Sequence, residues 1–162
     1  MTYSLSTSVI IDIIRSTAAF QIMSAPDDRK PLFASLMRDE VRGQLKIMVK
    51  NAFAETVLRL LPHVSGCTLD GESADEDPGS QDTLDTSDMI LRVTLPPPCG
   101  GRDYAGAAVR RQLEQTVVLQ AMRLWALAGG DHVAAEAYST LASSALDTLL
   151  CSLATSPRPF LR

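Results

Sequence analysis

The last third of the chain, from Arg102 to Leu153, limits the possible fold more than any other stretch. Apolar residues recur there in steps of three and four, the spacing that places side chains on one face of a helix. The two runs are Val109, Leu113, Val117, Ala121, Leu124 and Ala128, followed by Val133, Ala137, Leu141, Ala145 and Leu149. Between them, one glycine of the Gly129–Gly130 pair can end the first helix and Asp131 can cap the next. The pattern predicts two antiparallel helices, at about 102–128 and 131–154.

The first part of the chain predicts two more helices. One covers about 6–23, where an apolar face carries Val9, Ile10, Ile13, Thr17 and Phe20, and where Ile11 and Ile14 widen that face. The other is a single long helix over about 32–61, because its apolar positions keep a helical period until Pro62 ends it.

Two short strands are predicted between these helical pairs, at about 64–69 and 89–95. The second is rich in β-branched residues and stops at three consecutive prolines, Pro96 to Pro98. Since only a loop separates them, we expect an antiparallel pair. The sequence therefore predicts a single mainly α domain over 1–162, a four-helix bundle-like domain with a two-stranded antiparallel β-ribbon inserted between helices two and three.

The ribbon is interrupted by a strongly acidic segment, 70–88. It holds eight of the 19 acidic residues and no Lys or Arg, which leaves 11 acidic against 15 basic residues elsewhere. Few apolar side chains, repelling charges and chain breakers predict a flexible loop. A nucleic-acid binder usually presents a basic stripe, so this distribution does not indicate nucleic-acid binding.

The compartment follows by elimination. The early apolar run Val9–Ile11 is interrupted by Asp12 and has no basic residue before it, so it does not resemble a signal peptide. No stretch has the ~18 consecutive apolar residues that a membrane span needs. Three widely separated cysteines, Cys67, Cys99 and Cys151, do not form a disulfide pattern. We expect a cytoplasmic protein, or one assembled into a virion, without a membrane partner.

Residues capable of chemistry are present, but no complete motif is. His63 and Cys67 have one zinc-like spacing without a second pair. Asp75, Asp77 and Asp82 do not follow the order of a calcium-binding loop, and Gly100–Arg102 is a weak phosphate-loop signal beside its simpler interpretation as a connector. The sequence therefore predicts no catalytic residue, no cofactor and no metal.

The second half of the chain, 89–162, resembles a class of known proteins. A strand ends in Leu95–Pro96, Tyr104 opens a helix that carries Trp125 near its end, the following helix contains Tyr138, and a basic tail, Pro157–Arg162, completes the chain. This order resembles small structural proteins of tailed phages and prophages, of the head–tail connector or tail-assembly type. The resemblance implies a non-enzymatic subunit that forms oligomers.

The expected function is that of a structural or assembly subunit acting through protein–protein contacts, with copies of itself or other particle subunits as partners. The alternative is a cytoplasmic helical adaptor or regulatory interaction module. Two surfaces are candidates for the contacts. One is the edge of the ribbon at Ile90, Arg92 and Thr94, because an unpaired strand edge can accept another strand. The other is the end of the helical hairpin, where Trp125 and Tyr138 can serve as interface anchors.

Overall fold

The computed structural model describes residues 1–64, 66–70, 88–96 and 103–154. Its helices are α1 (Thr7–Ser24), α2 (Lys30–Leu36), α3 (Arg42–Leu60), α4 (Asp103–Ala128) and α5 (His132–Ala154), and its strands are β1 (Thr2–Ser6), β2 (Gly66–Asp70) and β3 (Ile90–Thr94). The described part is mainly helical, as predicted, with a small antiparallel sheet. The expected flexible loop, 70–88, lies outside the described residues at 71–87, as do Cys99, Gly100–Arg102 and the basic tail. Its two ends are wrongly assigned to the loop, because Asp70 is the last residue of β2 and Asp88 is hydrogen-bonded to the start of α1.

The sheet has three strands instead of the predicted two. Its order is β1-β3-β2, and both pairings are antiparallel. Sequence analysis missed β1, whose register sets Leu5 opposite Leu91 and Tyr3 opposite Val93. These four side chains are buried, so the alternation of apolar and polar residues in β1 directs one face toward the helices.

A hydrogen-bonded junction joins the sheet to the start of α1. The Ser6 hydroxyl accepts a hydrogen bond from the Val9 amide at 3.2 Å and so caps the helix. The Thr7 amide donates to the Met89 carbonyl at 3.0 Å, and the Met89 amide donates to the Thr7 hydroxyl at 3.1 Å. The buried Thr7 therefore fixes α1 directly to the residue that precedes β3.

The predicted single helix over 32–61 is wrong: two helices, α2 and α3, occupy this stretch. The chain becomes extended at Arg38, with ψ of 138°, before a 3-10 turn at Asp39–Val41 leads into α3. Arg15 of α1 holds this break, because its guanidinium donates to the Arg38 carbonyl at 3.0 Å and pairs with the Asp39 carboxylate at 3.1 Å. The interruption is thus stabilised by a tertiary contact that helical periodicity cannot reveal.

The helical hairpin lies close to its predicted bounds. Gly130 has a φ of +78°, the left-handed conformation that favours glycine, and the Asp131 carboxylate accepts a hydrogen bond from the Ala134 amide at 2.9 Å. The close approach is at Gly129, where an added Cβ would collide with the side chain of Leu32. The predicted capping role of Asp131 is confirmed.

One cluster of buried side chains joins the sheet to all five helices. α4 packs against α3 and α5, and α1 packs against α2, α3 and α4. The predicted stripe of α4 is confirmed at its four leading positions, which are buried: Val109, Leu113, Val117 and Ala121.

The predicted inner face of α5 is confirmed at Leu149, which is buried, but it is wrong at Val133, Ala137 and Leu141, which are exposed. Its buried positions are Ala134, Ala135, Tyr138, Ala142, Leu146, Leu149 and Leu153, whereas Val133 and Leu141 are exposed. Alanine residues occur on several sides of this helix, so its sequence is compatible with more than one buried face. Packing against α4 determines which face is buried.

Candidate functional site

The residues predicted to form an open strand edge, Ile90, Arg92 and Thr94, lie on the central strand of the sheet. β3 pairs with β1 on one side, where Arg92 is opposite Ser4, and with β2 on the other, where Arg92 is opposite Thr68. The argument from a free backbone edge on β3 is therefore wrong. Arg92 is exposed, while Ile90 and Thr94 are half-buried. Participation of their side chains in a protein contact stays a prediction.

The aromatic residues at the end of the hairpin are engaged within the molecule. The Trp125 indole donates a hydrogen bond to the Leu32 carbonyl at 3.3 Å, and its side chain is half-buried. Tyr138 is only 8% exposed, and burial together with the nearby charge of Asp131 raises the pKa of its hydroxyl. These two rings help to hold α4 and α5 against the rest of the protein, so they do not form an exposed pair of anchors.

A different surface, on α1, has the character of a contact site. Four large apolar side chains are exposed along it: Val9, Ile13, Phe20 and Met23, which we call the α1 outer stripe. Phe20 is 69% exposed and Met23 is 85% exposed. Because α1 buries Ile10, Ile11, Ile14 and Ala18, the stripe lies on the face of the helix opposite the core.

Sequence analysis placed Val9, Ile13 and Phe20 on one apolar face with Ile10. The structure buries Ile10 and exposes the other three side chains. The available signal was the apolar character of both sides of α1, which indicates a helix covered on more than one side. In the described part of the chain, α1 is covered on its inner side alone.

The hydroxyl groups around the α1 outer stripe are already hydrogen-bonded within the helix. Ser16 donates to the Asp12 carbonyl at 2.8 Å, Thr17 to the Ile13 carbonyl at 2.8 Å, and Ser24 to the Phe20 carbonyl at 3.3 Å. A hydroxyl that keeps such a bond loses no partner when the face is covered. This surface can therefore be buried without leaving these donors unpaired.

A second exposed apolar surface lies on α3 and the turn that follows it. Ile47, Leu58 and Leu61 form it, and we call it the α3 outer stripe. Ile47 and Leu58 are each 62% exposed, and the core of the protein holds Leu45, Val49, Phe53 and Leu60 from the other side of the same segment. α3 thus also exposes large apolar side chains on the side away from the core, with the exposed Asn51 lying between Ile47 and Leu58.

The polar cluster between α3 and α4 has a structural explanation. The Glu55 carboxylate accepts hydrogen bonds from the Gln120 amide and, at 2.7 Å, from the Arg123 guanidinium. Gln120 is buried and Arg123 is half-buried, so this network fixes how α3 lies on α4. Its members bond one another across the helix interface, and this arrangement indicates a packing role.

The structure places the residues considered for metal binding as follows. His63 is half-buried in the turn after α3, and Cys67 is exposed on β2. Within the described ranges, no three His, Cys, Asp or Glu side chains come together as a set of metal ligands. The acidic residues weighed for calcium, and Gly100–Arg102, lie outside those ranges. Among the described helices, none has the length and apolar character required to cross a membrane.

Comparison with known proteins adds no relative: the chain matches no known protein family, no curated protein and no solved structure.

Proposed function

We propose that the protein is a non-enzymatic structural or assembly subunit that acts through protein–protein contacts. The observation that carries this proposal is the pair of exposed apolar stripes on α1 and α3. The largest exposed apolar patches of soluble proteins often have a function, and contact with another macromolecule is a common one. In each stripe the exposed side chains are fixed by a helix whose opposite face belongs to the core, so the contact surface is already formed before a partner binds.

In this proposal, α1, α3, α4 and α5 form a four-helix bundle-like body. The packing of α1 on α3 and α4, and of α4 on α5, supports that arrangement. Two strands, β2 and β3, lie between α3 and α4 in the chain, and their sheet includes β1, which ties the beginning of the chain to the body. Such a rigid body presents its outer helix faces in fixed directions, which suits a building block.

The proposed setting is a phage-type or prophage particle, with copies of the same chain or other particle subunits as partners. This part rests on the resemblance of residues 89–162 to small phage structural proteins. The protein would act in the cytoplasm during assembly or in the finished virion.

Light scattering on the full chain tests the proposal. An assembly subunit is expected to form species of several times the 17.5 kDa chain mass as its concentration rises. A strict monomer over the whole concentration series would contradict the assembly role and favour the adaptor.

The adaptor alternative is supported by two shallow grooves that meet at Leu141 on α5. One, of about 310 Å³, lies between α4 and α5 and is bordered by Gln115 and Leu119. The other, of about 260 Å³, lies between α5 and the α1–α2 connection and is bordered by Pro26 and Phe33. Leu141 is 53% exposed and contributes to both. If the protein is an adaptor, its partner would insert an apolar side chain into these grooves. Leu141→Glu would then abolish binding of the partner, and the chain itself would be a monomer.

A further inference from the structure

We propose that the α1 outer stripe is the contact surface of a homodimer, in which the α1 helices of two copies pack antiparallel about a twofold axis near Ser16. This inference names the partner for one surface of the proposed function and rests on that proposal. It follows from the spacing of the stripe, the state of its polar groups and its charge.

The spacing of the stripe is nearly the same from either end of the helix. Its positions are 9, 13, 16, 20 and 23, in steps of four and three that keep them on one side of a helix, and the exposed Ser16 stands at the centre. Val9 lies seven residues before Ser16, and Met23 lies seven after. A twofold axis at Ser16 therefore sets Val9 against Met23 of the other copy and Ile13 against its Phe20.

Ser16 suits the crossing point because it is small. A short side chain at the centre lets two helix backbones approach, while the larger residues on each side fill the space beyond the crossing. Since the Ser16 hydroxyl donates to the Asp12 carbonyl, burial at this point does not leave an unpaired donor. A twofold interface also requires the same patch to fit itself, and this stripe meets that condition.

The charges of α1 favour a second copy over a lipid surface. Helices that lie on anionic membranes carry Lys and Arg beside their apolar face. Arg15 is the one basic residue of α1, and it is bound to Asp39 and to the Arg38 carbonyl. The exposed Asp12 is compatible with pairing, because antiparallel packing about Ser16 separates the two Asp12 positions by eight residues, about 12 Å along the helix. That separation exceeds the Debye length of about 8 Å at physiological ionic strength.

The area of the surface indicates a weak, reversible dimer. The 18 residues of α1 make a helix about 27 Å long. Its four exposed apolar side chains present roughly 400 Å². Standard stable complexes bury about 800 Å² from each partner. We therefore expect the dimer to dissociate on dilution.

Sedimentation equilibrium of the full chain tests the surface. Phe20→Ser is expected to weaken dimerisation at least about tenfold, as for loss of a central anchor. Leu58→Ser removes an apolar side chain of similar exposure from the α3 outer stripe and is expected to change the dimerisation constant less than about twofold. Circular dichroism checks that both variants keep the wild-type helix content.

Disulfide trapping tests the antiparallel geometry independently. In a background with Cys67, Cys99 and Cys151 replaced by serine, Ser16→Cys is expected to form a covalent dimer under mild oxidation, because a twofold axis at this position brings the two Cα atoms within the roughly 7 Å that a disulfide requires. Glu136→Cys, an exposed position on α5 outside both outer stripes, is the matched control and is expected to stay reduced.

The outcomes separate this inference from the proposed function. A wild-type chain that forms large species insensitive to Phe20→Ser, with no Ser16→Cys crosslink, would overturn the α1 dimer and leave the assembly role standing. A chain that forms the trapped dimer and nothing larger would support the α1 dimer and overturn the assembly role. A strict monomer would overturn both.

Discussion

At the scale of single residues, Asp88 shows how few atoms join the sheet to the helices. Its carboxylate accepts hydrogen bonds from the Ser6 hydroxyl at 2.7 Å, the Thr7 hydroxyl at 3.1 Å and the Ser8 amide at 2.9 Å. Partial burial alone would raise the pKa of Asp88, but these hydrogen bonds stabilise the charged form and lower the pKa below its ordinary value of 3.8. A residue adjoining β3 thereby caps the first turn of α1.

Asp88→Ala is expected to cost about 1 kcal/mol of unfolding free energy at pH 7, the usual effect of losing an N-terminal cap. The pKa is lower in the folded state, so the contribution is complete above the unfolded-state pKa and is lost as the pH falls through the folded-state pKa. Urea titrations at neutral and acidic pH measure this difference. The exposed Asp147→Ala is the control, expected within about 0.5 kcal/mol of wild type at both pH values. A pH-independent effect of Asp88→Ala would contradict the assignment.

Two leucines of the helical hairpin test which face of each helix is buried. Leu113 of α4 is fully buried, whereas Leu141 of α5 is exposed. Leu113→Ala is expected to cost about 2–5 kcal/mol, because it opens a cavity in the core. Leu141→Ala is expected to cost less than about 1 kcal/mol, since half of the side chain already contacts solvent. Guanidinium denaturation compares the variants, and equal shifts of their midpoints would show that the assigned orientation of α5 is wrong.

At the scale of helices and strands, the sequence predicts where regular structure occurs better than which way it faces. Helical periodicity, Pro62 and the Gly129–Asp131 turn place most helix ends within a few residues of their observed positions. The break at Arg38 has no glycine or proline to mark it and depends on Arg15, which is distant in the chain. The sequence could not identify the exposed face of α1 for a related reason. Apolar residues occupy both sides of the helix, and tertiary packing determines that Ile10, Ile11 and Ile14 are the buried ones.

The missed strand β1 had a weak signal, the alternation of Tyr3 and Leu5 with polar residues. Its place in the sheet predicts that Leu5→Ala, at a fully buried position, costs about 2–5 kcal/mol. Ser4→Ala, next to it on the exposed face, is expected to change the unfolding free energy by less than about 0.5 kcal/mol. Denaturation curves give both values. If Leu5→Ala left the unfolding free energy unchanged, β1 would not belong to the core and the backbone edge of β3 would be unpaired.

At the scale of the whole molecule, the two outer stripes have different roles in the proposed association. α1 and α3 pack against each other through their inner faces, so their outer faces are distinct surfaces of one rigid body. A self-matching stripe closes a dimer, whereas growth beyond the dimer needs a second, separate contact. The α3 outer stripe is the described surface best suited to supply it.

These different roles of the two stripes lead to a prediction about the size of the assembly. Leu58→Glu places a charge in the α3 outer stripe and is expected to remove species larger than the dimer, because burying an unpaired carboxylate is strongly unfavourable. The dimer itself should persist, since its contact lies on α1. Light scattering at the highest soluble concentration gives the mass of each species, and Thr140→Glu, an exposed substitution of the same charge on α5, is the control. If Leu58→Glu dissociated the dimer while Phe20→Ser left it intact, the roles of the two stripes would be reversed.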